Sequence, residues 1–127
     1  MWIDVVAALA ALQLLFFGVQ VGSARTRFGV KAPATTGHEQ FERYYRVQMN
    51  TIELLAPLLA GLYLASHYWS PAWVAAAGAV YLVGRMVYRS AYLRDPASRT
   101  VGFALSVAPV FCLLLAALVG AVLQWLR

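Results

Sequence analysis

Cysteine is all but missing from this chain. Cys112 is the only one in 127 residues, so no disulfide can close within it, and the redox character of its compartment stays open. Lying in the middle of an apolar run, that thiol reads as an inert core group. Metal-ligand spacing is also missing. His38 and His67 stand far apart in expected loops, and with one cysteine no zinc set can be assembled, so no metal is expected. There is no glycine-rich phosphate loop and no Ser/His/Asp arrangement that can be argued. Internal repeats and low-complexity segments are absent too, and without a repeated pair of broken helices a small transporter lacks support. Charge is the largest deficit. Only 12% of residues are charged, against about 25% in an ordinary soluble domain.

Apolar sequence fills the space that charge leaves. Hydrophobic residues make up 62% of the chain and are gathered in long runs. About twenty residues in a helix span the roughly 30 Å hydrocarbon core of a bilayer. The runs predict an all-α, integral membrane four-helix bundle forming a single transmembrane domain over residues 1–127, with helices over approximately 2–22, 41–66, 72–92 and 100–125. The first run has the length of a membrane span. It carries Asp4 and no basic residue at its front, which favours a retained helix over a cleaved signal despite the small residues Gly22, Ser23 and Ala24. The stretch from Arg25 to Gln40 is polar, contains Pro33 and Gly37, and reads as a loop. Pro57 is a candidate kink in the second helix. Trp2, Trp69, Trp73 and Trp125 read as interfacial anchors. Gly78, Gly84, Gly102 and Gly120 read as packing positions between membrane helices. A chain this short encloses no large cavity of its own, so a substrate site of useful size calls for a neighbouring subunit.

The net charge is +5, but the basic residues sit at the ends of apolar runs rather than on a solvated face. This points to membrane orientation and an anionic ligand, with no nucleic acid as partner. Nine of the ten Lys and Arg residues lie in two zones, 25–46 and 85–99, which fall on one side of a four-span bundle. The positive-inside rule makes that side cytoplasmic and puts both termini on the opposite side.

Two helices carry polar stripes. Arg43, Arg46, Asn50 and Glu53 are spaced three, four and three apart and share a face of the second helix, which Pro57 continues. Tyr81, Arg85, Tyr88 and Tyr92 are spaced four, three and four apart and share a face of the third. Ionisable groups in a membrane segment cost several kcal/mol unless paired or wetted, and they usually line a functional cavity. A structural alternative pairs Arg46 and Arg85 with Glu53 and Glu42, and Arg43 alone would serve as a snorkelling anchor. Counting favours the ligand. The basic zones hold nine cations, with only Glu39, Glu42, Glu53 and Asp95 available to pair with them, so arginines are left over. Excess positive charge, one carboxylate and several tyrosine hydroxyls suit a zwitterion with additional carboxylates, which arginine forks grip bidentately.

The run Phe41-Glu42-Arg43-Tyr44-Tyr45-Arg46-Val47-Gln48-Met49-Asn50-Thr51-Ile52-Glu53 carries the pattern Glu-Arg-x-x-Arg-x-Gln-x-Asn-x-x-Glu. It resembles the signature of the membrane-associated proteins in eicosanoid and glutathione metabolism, the MAPEG family. That family includes microsomal glutathione transferases, leukotriene C synthase and the lipoxygenase-activating protein. Arg85-Met86-Val87-Tyr88-Arg89-Ser90-Ala91-Tyr92 resembles the family's third helix, and the loop Pro33-Ala34-Thr35-Thr36-Gly37 is also similar. The resemblance covers nearly the whole chain. It implies a homotrimer of four-helix subunits with glutathione, as co-substrate, lying between neighbouring subunits near the basic ends of the helices. By motif, the glutathione-binding residues would be Arg46, Asn50 and Glu53 with Gln48 nearby, Tyr88 and Tyr92 from the third helix, and Arg25 from the end of the first.

Arg99 matches the arginine that, in the leukotriene synthase branch, is thought to stabilise the glutathione thiolate. The thiolate is the nucleophile, and a free thiol has a pKa of about 8.5. A guanidinium fixed beside the sulfur favours the anion, so the role of Arg99 would be electrostatic and the proton would leave by water or another group. The bland alternative is a flanking cation at a helix start. Leu54 departs from the pattern, because the leukotriene synthase branch has a glutathione-touching tyrosine there. This argues for a general transferase or peroxidase acting on a lipophilic electrophile or lipid hydroperoxide that arrives through membrane lipid. The rival expectation is a non-catalytic lipid-binding or scaffold protein of the same fold.

Overall fold

The computed structural model describes all 127 residues and contains four long helices and no strand. Helix α1 runs Trp2–Phe28, α2 Glu39–Ser66, α3 Pro71–Arg94 and α4 Thr100–Trp125, with one 3-10 turn, Pro96–Ser98, before α4. Three of them, α1, α2 and α4, are long and apolar enough to cross a membrane. Helix α3 is as long as a span needs but carries Arg85, Arg89 and Arg94 in its second half.

The first helix corrects the sequence expectation. It does not stop near Gly22, and Arg25 is not in a loop: the helix continues to Phe28 and takes Arg25 and Arg27 into its last turn. Cations there complement the negative end of the helix dipole. The chain leaves the helix at Gly29, whose φ of 70° is the left-handed conformation that glycine adopts freely, and Val30 N–H donates to the Arg25 carbonyl at 3.0 Å. At the other junction His38 caps α2, its Nδ1 accepting from Gln40 N–H at 3.1 Å. Helix α2 continues through Pro57, and α4 continues through Pro109.

Small residues set the helix spacing. A Cβ at Gly102 would run into the Tyr88 backbone, and one at Gly84 would lie 2.6 Å from the Leu105 carbonyl carbon, so α3 and α4 meet almost backbone to backbone. A Cβ at Gly78 would come within 2.5 Å of Val6, and one at Gly120 within 2.5 Å of Tyr68. These contacts and the Arg43 bonds described below gather the two basic zones at one end of an up-down-up-down bundle. The apolar core, with Ala10, Leu58, Leu62, Val74 and Leu113, fills the rest. Much of the exterior is equally apolar: Leu15, Val19 and Phe111 are each more than 60% exposed, as suits a surface facing hydrocarbon. Cys112 is also exposed, so it is a surface thiol rather than the core group expected. It sits one residue from the buried Leu113, on the outward side of α4.

Candidate functional site

The two polar stripes meet. Arg46, Asn50 and Glu53 from α2, Tyr88 and Tyr92 from α3, and Arg99 just ahead of α4 line a single cleft of about 540 Å³, together with Thr100 and Phe103. Helical spacing puts the three α2 residues on one face, and the Gly102–Tyr88 approach draws the start of α4 close enough for Arg99 to reach the same opening. The 3-10 turn before it is held by Asp95, whose carboxylate accepts from Ala97 N–H at 3.1 Å, and by Ser98, whose hydroxyl donates to the Ala91 carbonyl at 3.1 Å.

Charge in the cleft is mixed and positive in sum: two guanidiniums against one carboxylate. Arg46 stands 3.6 Å from Glu53, with both side chains about half exposed. An ion pair of that kind contributes only about 0–1 kcal/mol, so it is a weak reason for either residue to be there. The tyrosine rings stack 5.5 Å apart with an interplanar angle of 23°, and Phe103 lies 6.3 Å from Tyr88. The result is a polar opening with an aromatic wall.

Beneath the cleft lies the feature that sequence reasoning valued too little. Arg85 is fully buried. Its Nη1 donates to Asn50 Oδ1 at 2.7 Å and to Thr51 Oγ1 at 3.2 Å, and its Nε donates to Ser106 Oγ at 2.9 Å. The guanidinium also sits 4.3 Å from the centre of the Tyr88 ring. No carboxylate approaches it, and its Nη2 has no partner. Of the structural alternative, the pairing of Arg85 with an acid is absent, whereas the Arg46–Glu53 pairing is present. Arg85 instead grips two side chains of the cleft wall, Asn50 and Tyr88, from behind. Thr100, Phe103 and Ser106 were also missed, although with Arg99 they follow the three-and-four spacing of one α4 face.

Other motif residues go elsewhere. Arg43 shares the α2 stripe but turns to the end of α3, where its Nη1 donates to the carbonyls of Leu93 (3.1 Å) and Arg94 (3.2 Å) while Nη2 binds Glu39 at 2.6 Å. It is a helix cap rather than a lipid anchor. Arg25 does not reach this cleft: Nη1 donates to the Ala34 carbonyl at 2.6 Å, and the guanidinium covers Phe41 at 4.8 Å. Gln48 faces α1, its Nε2 where a Gly18 side chain would stand. Leu54 packs against the apolar core.

The MAPEG family model matches residues 3–119. The chain is 43% identical to an uncharacterized protein of Synechocystis sp. over 98% of this chain and 90% of that protein. It is 35% identical to human microsomal glutathione S-transferase 2 over 91% and 78% of the two chains. With bovine leukotriene C4 synthase the identity is 36%, over 97% and 86%. An apolar exterior, three membrane-span helices and a family match over nearly the full length lead to one conclusion: the chain is an integral membrane protein that belongs to the MAPEG family.

Proposed function

We propose that this protein is a membrane-bound glutathione transferase. The observation that carries the reading is the convergence of Arg46, Asn50, Glu53, Tyr88, Tyr92 and Arg99 from three helices on one cleft. Glutathione at neutral pH carries two carboxylates, one ammonium and a thiol. Arg46 is suited to one carboxylate, Glu53 to the ammonium, and Asn50 and the tyrosine hydroxyls to the peptide groups. Arg99, at the rim, is the electrostatic partner of the sulfur. The thiol proton leaves to water, and the thiolate then attacks an apolar electrophile: a carbon–sulfur bond forms, and the leaving group or opened epoxide takes the displaced electron pair. A lipid hydroperoxide would be reduced by the same thiolate with a second glutathione, giving an alcohol, water and glutathione disulfide.

In this reading all four helices span the bilayer, with the basic loops and the cleft cytoplasmic and both termini opposite. The functional unit is a homotrimer. Arg25 and Gln48, which lie off the cleft of their own subunit, would then face the cleft of a neighbour and complete its glutathione site.

Titration calorimetry with glutathione, combined with a thiolate absorbance scan near neutral pH, tests the assignment. Wild-type protein is expected to bind and to show thiolate. Arg46→Ala should lose at least tenfold in affinity, in line with the roughly 1.5–3 kcal/mol of a hydrogen bond to a charged group. Arg99→Ala should bind glutathione without showing thiolate. No binding at millimolar glutathione would sink the enzyme and leave lipid binding or a scaffold role in its place.

A further inference from the structure

A second groove runs along the seam of α1 and α3, away from the cleft. Its deep half is hydrocarbon: Leu9, Leu12 and Phe16 face Leu82, Val83 and Met86 across about 570 Å³. One turn further towards the basic end the walls are tied together, Arg89 Nε donating to Gln20 Oε1 at 2.6 Å. Beyond that tie the groove opens into a hollow of about 510 Å³ with three arginines, Arg27, Arg89 and Arg94, flanked by Gln40, Tyr44 and Ser90. A small recess beside Gln20 and Ser23 shares Arg27 and Tyr44 with this hollow. On α1 the positions Leu9, Leu12 or Gln13, Phe16, Gln20, Ser23 and Arg27 follow three-and-four spacing, so both halves lie on one face of the helix. None of the three arginines has a carboxylate within ion-pair distance.

An apolar trough at membrane depth that ends in unpaired arginines has the polarity of an anionic phospholipid. We propose that this groove is a specific site for one such lipid, an acyl chain lying between α1 and α3 and the phosphate held by Arg27, Arg89 and Arg94. Guanidinium forks match phosphate oxygens bidentately. Gln40, Tyr44 and Ser90 supply neutral groups for the glycerol or headgroup hydroxyls. The site is separate from the glutathione cleft, sharing no residue with it, and does not depend on the transferase reading.

The test is native mass spectrometry of the detergent-purified protein titrated with phosphatidylglycerol or phosphatidylcholine of the same chain length. Inorganic phosphate serves as competitor, and an Arg27→Gln/Arg94→Gln double variant is run in parallel. Wild type is expected to retain one phosphatidylglycerol per chain in preference to phosphatidylcholine, unaffected by phosphate. The double variant should lose roughly thirtyfold in retention, the loss expected from two arginines at a membrane surface. Val83→Trp, which fills the apolar half and leaves the charges intact, should weaken retention as well. Equal retention of the two lipids, or a double variant that retains phosphatidylglycerol like wild type, overturns the proposal. Displacement by phosphate would make this a free-anion site and overturns the lipid assignment. Oligomer mass and glutathione binding measured on the same samples separate a misfolded variant from one that has lost the lipid.

Discussion

The two ends of this bundle are built on opposite plans. At the end holding Val6, Leu62, Gly78 and Gly120, small and apolar side chains interlock and no charged group is buried. At the basic end α3 and α4 still meet closely at Gly102, but a polar cleft opens beside that contact, and polar side chains behind it are tied to one buried arginine. The apolar end holds the helices together, while the basic end spends part of its packing on a constellation of polar groups. Substitutions at the apolar end should therefore move stability alone, whereas those at the basic end should move ligand binding further than stability.

Gly102→Val should have the largest effect. The new side chain meets the Tyr88 backbone, which cannot turn aside, so α4 must shift from α3. A loss of about 3 kcal/mol or more is expected, at or above the usual cost of overpacking, and glutathione binding should fail because Arg99 moves with α4. Thermal melting in detergent with parallel calorimetry checks both. Normal binding in a folded Gly102→Val protein would break the link between helix approach and cleft geometry.

Arg85→Ala comes next. It leaves Asn50 buried without its partner and removes the cation beneath Tyr88. About 2–3 kcal/mol of stability should go, the cost of an unsatisfied buried group plus lost packing. Glutathione affinity should fall at least tenfold even though Arg85 does not line the cleft. Arg85→Lys, which keeps the charge but not the fork, should recover stability better than affinity. Equal recovery of both would make the role of Arg85 purely structural. At the apolar end, Gly78→Ala meets only the side chains of Val6 and Leu62, so about 1 kcal/mol is expected, with glutathione affinity unchanged.

The same contrast separates what could be read from sequence from what could not. Helical spacing alone brought Arg46, Asn50 and Glu53 to one face and Tyr88 and Tyr92 to another, because three-and-four periodicity is a property of the helix itself. That Arg99 joins them depends on the glycine-mediated approach of α4, which spacing does not encode; only the family resemblance pointed to it. The end of α1 lies later than the sequence reading puts it because Arg25 and Arg27, polar enough to read as loop, belong to the helix's last turn; nor do glycines alone mark the end. A side chain at Gly22 would meet nothing, whereas Gly29 takes the positive φ that ends the helix, and composition does not tell them apart. Arg85 was visible on its stripe, but its partners Thr51 and Ser106 are small hydroxyls on two other helices. Unlike carboxylates, they leave no charge pattern to follow.

The smallest expected effect on stability is also the sharpest test of the comparison. Arg46 and Glu53 are paired, which invites the view that they brace the basic end as glycines brace the other. The 3.6 Å separation and half-exposed side chains argue otherwise. Glu53→Gln keeps the shape and removes the charge, so melting should change by less than about 1 kcal/mol. Glutathione affinity should nonetheless fall by about tenfold, because the ammonium loses its counter-charge while Arg46 keeps its carboxylate. A glutathione analogue lacking the amino group should bind Glu53→Gln and wild type alike. If melting falls and affinity holds, the pair is a brace and the cleft has no ammonium site. If affinity falls alone, the polar residues at this end are there for a ligand.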